Sequence, residues 1–212
     1  MADWCTDVLS AAGHTIQQAY DLETQRDFVI RPKVDVLSSG RARKTETAMG
    51  ETRLKRLEWI LENGFQWKRH HFERMFHEKC VIALSKTMMG ADWAVMGAEI
   101  AAERGWTHSS KFVAASAPRR FGKSVSAAKL VAALAEVLIL LPEGLDFTVY
   151  PLAVFSTGRR ASDALSAYVE GFLTERNMSS YFIKKNSEKI WLQRPDKKMT
   201  VQMSFLPSNP DK

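Results

Sequence analysis

Cysteine is scarce in this chain: Cys5 and Cys80 are its two thiols among 212 residues. Two cysteines build no disulfide framework, and they suit a reducing, intracellular compartment. Long apolar runs are also missing. The most apolar stretch, Val137 to Leu141, falls far short of the ~18 residues that suggest a membrane span, so no membrane partner is expected. Asp3 and Asp7 stand where a secretory leader would be basic and then apolar, which argues against a signal peptide. There are no internal repeats and no low-complexity tracts. Metal-ligand spacing is thin as well. Glu73, His77 and Cys80 share one helical face, but no fourth ligand follows at zinc spacing, so a half-buried helix with a polar edge is the expectation there.

What is present is apolar residues in quantity, 45% of the chain, enough for one good domain with an appendage. Thirty Lys and Arg stand against 24 Asp and Glu, a net charge of +6, which favours an anionic partner such as nucleic acid.

The chain is organised around Ser116-Ala117-Pro118-Arg119-Arg120-Phe121-Gly122-Lys123-Ser124. The apolar quartet Phe112-Val113-Ala114-Ala115 before it reads as a buried strand. Val125 to Ala135 after it reads as a buried helix. Strand, tight loop with Gly-Lys-Ser, helix is the setting of a phosphate-binding loop. Amides at the helix N-terminus would face the phosphates with the helix dipole behind them. Lys123 would reach the outer phosphates, and the Ser124 hydroxyl would ligate magnesium. Ala117 stands where the usual pattern has its first glycine.

The string Pro118-Arg119-Arg120-Phe121-Gly122-Lys123-Ser124 resembles the loop of terminase large subunits, the viral DNA-packaging motors. It is nearest the herpesvirus-like branch, whose loop reads Pro-Arg-Arg-x-Gly-Lys-Thr. The resemblance covers about residues 65–212 and implies an α/β fold: a P-loop NTPase of the RecA/ASCE type, with a parallel sheet that is incomplete here and a helical N-terminal extension over 1–64. It implies ATP and Mg2+ as cofactors, held by Pro118 to Val125 with Ser124 on the metal. Lys123 and Arg119 take catalytic roles, Arg119 acting in cis on the γ-phosphate. An adenine-contacting segment lies upstream in that family, and Gln66 and Arg69, within Gln66-Trp67-Lys68-Arg69-His70-His71-Phe72, fit it best by order and composition. The partners implied are duplex DNA, bound without sequence preference, and further copies of the chain in a ring on a capsid portal. The setting would be a host nucleus or cytoplasm.

The remaining elements follow from periodicity and turn residues. Residues 4–20 read as a helix with Leu9, Ala12, Ile16 and Tyr20 along one stripe. Phe28 to Ile30 and Val34 to Leu37 are extended around Arg31-Pro32, and 38–51 reads as a basic loop through Arg41 to Lys44. Thr52 is a candidate cap for a helix with Leu54, Leu57, Ile60 and Leu61 inward, ended by Asn63-Gly64. Helices are expected over about 68–86 and 91–104, the second stopped by Gly105. After the loop helix come a turn at Pro142-Glu143-Gly144, a strand through Leu152 to Phe155, and a helix over 161–176 with Ala164, Leu165, Tyr168, Phe172 and Leu173 buried. Strand, helix, strand implies a parallel pair. Alternation at 188–193 and 199–206 predicts a β-hairpin.

One element of an ATPase is not found. No apolar strand ending in Asp-Glu or Asp-Asp follows residue 124, although a magnesium-holding carboxylate and a water-orienting glutamate belong there. The chain therefore reads as the front part of an ATPase domain that stops before its acidic strand. Two alternatives to a packaging motor stay open: another P-loop ATPase of helicase type, and a nucleotide- or DNA-binding piece without turnover.

Overall fold

The computed structural model describes residues 49–107, 111–116 and 122–208. The expected helix at 4–20, the extended pieces at 28–37 and the basic 41–44 cluster lie outside these residues.

Helix α1 (Met49–Asn63) places Leu54, Leu57, Ile60 and Leu61 in the core, none more than 2% exposed. That is the spacing of one helical face. It begins ahead of Thr52, so Thr52 lies in its first turn and is not its cap. Gly64 ends it, donating its N–H to the Ile60 carbonyl at 2.7 Å. Helix α2 (His71–Met89) starts later than expected because His70 caps it: the His70 ring accepts from the Glu73 amide while the Glu73 carboxylate accepts from the His70 amide, a reciprocal cap with histidine in the usual serine position. After a short 3-10 turn, helix α3 (Trp93–Glu103) turns Ile100 and Ala101 inward, and the chain leaves it through Gly105 at φ 66°.

Helix α4 (Lys123–Leu140) is the central element. Ala132, Ala133, Ala135, Val137, Leu138 and Ile139 are all essentially inaccessible, so this stretch of the helix is enclosed on every side in mid-core. Two arginine-centred polar clusters tie the bundle together. Glu136, 2% exposed, accepts from Arg176 at 2.8 and 2.9 Å and from Arg56 at 3.0 Å. Both guanidiniums lie over the Trp59 ring. At the other end of the bundle Arg53, wholly buried, donates to the Met88, Met89, Leu141 and Glu143 carbonyls. One side chain thus satisfies the orphaned carbonyls where two helices stop.

The sheet has the order β1–β4–β3–β2, from β1 (Val149–Ser156), β2 (Phe182–Lys185), β3 (Lys189–Gln193) and β4 (Thr200–Pro207). It is α/β but mixed: β1 and β4 are parallel, whereas β4–β3 and β3–β2 are antiparallel. The expectation of a parallel sheet is corrected to that extent. The parallel pair is joined through helix α5 (Arg159–Glu175) and the two antiparallel strands, not through α4. The hairpin is where the alternation put it, with Ile190, Leu192, Val201, Met203 and Phe205 fully buried.

Three expectations fail. Residues 111–116 form no strand, and Phe112 is 77% exposed; a quartet with two alanines and no strand beside it buries too little apolar area to offset its ordering. In α5, Ala164 and Tyr168 face outward while Ser162, Ser166 and Val169 join Leu165 and Leu173 inside, because small serines allow the close approach to α4. In α2, Glu73, His77 and Cys80 are buried and Met75 is exposed, so the polar edge is the inner face. Among the described residues, α1 shares one apolar core with α4 and the sheet.

Candidate phosphate site at the start of helix α4

Gly122 caps α4 in the left-handed conformation, φ 75° and ψ 13°. Glycine alone takes that backbone without strain. A Cβ there would also come to 3.4 Å from His70 Nε2, so the loop end and the start of α2 are in contact. The first helical bond runs from the Ser126 amide to the Gly122 carbonyl at 2.8 Å. Gly122 itself has no side chain with which to cap the helix, and a helix N-terminus is a place where backbone amides and the helix dipole favour an anion. Lys123 and Ser124 are exposed there and Val125 is half-buried. Pro118, Arg119, Arg120 and Phe121 lie outside the described residues.

Behind this exposed turn is a buried polar network. His77 Nε2 lies 2.8 Å from the Ser126 carbonyl and 3.1 Å from its hydroxyl, while His77 Nδ1 is 3.3 Å from the Arg69 guanidinium. Arg69 also pairs with Glu62. One turn further into α4, Lys129, 1% exposed, donates to Glu73 Oε1 and to the Trp67 carbonyl, each at 3.3 Å. Burial pushes the His77 pKa down to about 4, with Arg69 and Lys129 adding to the effect against the Ser126 bond and Glu73. The ring is therefore neutral, with Nε2–H donating to Ser126 and Nδ1 accepting from Arg69.

The two upstream residues nominated for adenine differ in their commitments. Gln66 is exposed, and its backbone amide donates to Glu175 at 2.6 Å. Arg69 is half-buried and already held by Glu62 and His77, yet its Nε is buried without a hydrogen-bond partner. Arg69 and His77 share the wall of a cavity of about 220 Å³ between α1 and α2, closed on one side by Trp106. For a metal, the described residues offer little. No group of three His, Cys, Asp or Glu is disposed to hold an ion among them, and none of the four strands ends on a carboxylate. No helix among the described residues is long and apolar enough to cross a membrane.

The sequence pointed to the exposed turn at 122–124 and not to the buried network behind it. Lys129, a charge at the centre of an apolar helix, was the available signal for a buried partner. Glu73 and His77, at i, i+4 on one helical face, have Lys129 and Ser126 as their partners. No family model, curated protein or solved structure matches the chain.

Proposed function

We propose that residues 122–125 are the phosphate-cradling part of an ATP site, and that the chain is the ATP-binding part of a terminase-like motor coupling ATP hydrolysis to movement of duplex DNA. The observation that supports the reading best is the left-handed Gly122 ahead of exposed Lys123 and Ser124, at the start of an 18-residue helix held from behind by buried side chains. Helix amides and dipole receive the phosphates, Lys123 adds a point charge, and Ser124 turns its hydroxyl to magnesium. Arg119 would stabilise charge on the transferred group. Arg69, through its unpartnered Nε beside the cavity, is the better of the two upstream residues for the base.

Titration with a fluorescent ATP analogue tests the site. Lys123→Ala removes a charge-assisted contact of ~1.5–3 kcal/mol, roughly a tenfold to hundredfold loss of affinity. Equal affinity for wild type and variant would remove the phosphate site from consideration.

A second reading, nucleotide binding without turnover, is favoured by the strand ends. Phosphoryl transfer depends on a positioned metal and water, and among the described residues no strand delivers a carboxylate toward Ser124. Phosphate release above the Lys123→Ala background, measured with and without duplex DNA, decides between the two.

A further inference from the structure

The two faces of the sheet differ in kind. Ile190, Leu192, Val201, Met203 and Phe205 lie on the face that packs under α4 and α5. Nothing among the described residues covers the opposite face. The register places on it Lys189, Trp191 and Gln193 of β3, Gln202 and Ser204 of β4, and Lys184 of β2 beside Trp191, with the apolar Val149, Pro151, Ala153 and Phe155 of β1 along its far edge. None of these is acidic. Residues 182–208 carry six Lys and Arg against two Asp and Glu, so much of the chain's excess positive charge sits on this hairpin. Four of those cations, Lys184, Lys189, Lys197 and Lys198, form no ion pair among the described residues, whereas Arg194 and Lys185 are paired.

Along β3 the open face reads cation, aromatic, amide, and then the lysine-bearing turn at 197–198. Lys184 Nζ stands 5.0 Å from the Trp191 ring centroid. An ammonium over an indole occupies the place where another flat or cationic group would stack.

We propose that this stripe binds single-stranded nucleic acid. A base stacks on Trp191, Lys184 swings from the ring to the adjoining phosphate, Lys189 and the 197–198 lysines neutralise phosphates on either side, and Gln193 and Gln202 offer amides to base edges. Charge complementarity selects a polyanion. The aromatic at the centre of the stripe selects one with exposed π-faces, which a duplex does not present. The surface involves none of residues 122–125, so it stands or falls separately from the nucleotide site.

Fluorescence anisotropy with labelled oligothymidylate, a duplex of the same length and heparin as a charge-only competitor tests the proposal. The expected result is tightest binding to the single strand. Trp191→Leu should weaken it roughly fivefold to a hundredfold with little change for the duplex. Lys184→Ala and Lys189→Ala, both at sites that carry no core packing, should each lower the slope of log affinity against log salt by about 0.7. Each variant should unfold at the wild-type temperature by circular dichroism, which is the check on folding and does not depend on the nucleotide site. Equal affinity for single strand and duplex, displacement by heparin with no effect of Trp191→Leu, or a dimer in sedimentation that Trp191→Leu dissolves would each overturn it.

Discussion

The Nε2 of His77 stands 2.8 Å from the backbone oxygen of Ser126, and that bond joins the inner face of α2 to the first turn of α4. The oxygen belongs to the residue whose amide makes the first helical bond, back to Gly122. The geometry of the Gly-Lys-Ser turn is therefore set partly from another helix.

This bond has a pH dependence of definite sign. His77 titrates near 6.5 in the unfolded chain and at about 4 in the fold, where burial disfavours its cation. The unfolded state thus binds the extra proton first as pH drops. The stabilisation is complete above about 6.5, is lost progressively down to about 4, and changes no further below that. The expected loss is on the order of 3 kcal/mol. Urea unfolding of wild type and His77→Gln across this range measures it; parallel curves would show that His77 is not the titrating group.

Lys129 and Glu73 form a pair that both helices bury. Removing one partner leaves a charge without compensation, which typically costs ~3–5 kcal/mol. Lys129→Met alone is expected to destabilise by about that much, and Lys129→Met with Glu73→Leu by far less. Additive effects in the double-variant cycle would mean that the two side chains do not interact.

Gly122→Ala forces a side chain onto a left-handed residue, at a cost of about 1–2 kcal/mol. The new methyl would touch the His70 ring at ordinary van der Waals distance, so the cost is one of backbone conformation. Thermal unfolding should drop by a few degrees while affinity for the ATP analogue falls more than stability does. A variant that loses stability yet binds nucleotide as wild type would separate Gly122 from the phosphate site.

Burial pushes the Cys80 thiol up to about 12, and a thiol held protonated is a poor nucleophile. In a Cys5→Ser background, iodoacetamide should leave the folded protein unlabelled and react once urea unfolds it. Rapid labelling without denaturant would show that the inner face of α2 opens locally.

The sequence carried the parts of the fold that repeat. Leu54, Leu57, Ile60 and Leu61 reveal a face because four apolar residues recur at helical spacing. Ile190, Leu192, Val201, Met203 and Phe205 reveal a hairpin because they alternate around a Pro-Asp turn. Phe112 to Ala115 misled, since a short apolar run reads alike whether or not a neighbouring strand exists to receive it. The site divided along the same line. Gly122, Lys123 and Ser124 are contiguous and legible. The support from His70, Glu73 and His77 depends on a contact about fifty residues away in sequence, and local pattern contains no trace of that. β2 was missed because Phe-Ile-Lys-Lys is too short and too charged to announce a strand.

Strand β1 hydrogen-bonds β4 through its even-numbered residues, with Thr148 and Ser156 accepting from Thr200 and Ser208. Its odd-numbered backbone groups therefore point to the side that no strand pairs among the described residues, and Pro151 is among them. An added chain would meet amides at Val149, Ala153 and Phe155 with a gap at the proline between them. That gap interrupts the regular ladder on which fibrils elongate, beside a Phe155 ring that is 66% exposed. Replacing Pro151 with valine would restore a continuous row of donors, and the cost would show as turbidity in concentrated stock long before any change in melting temperature.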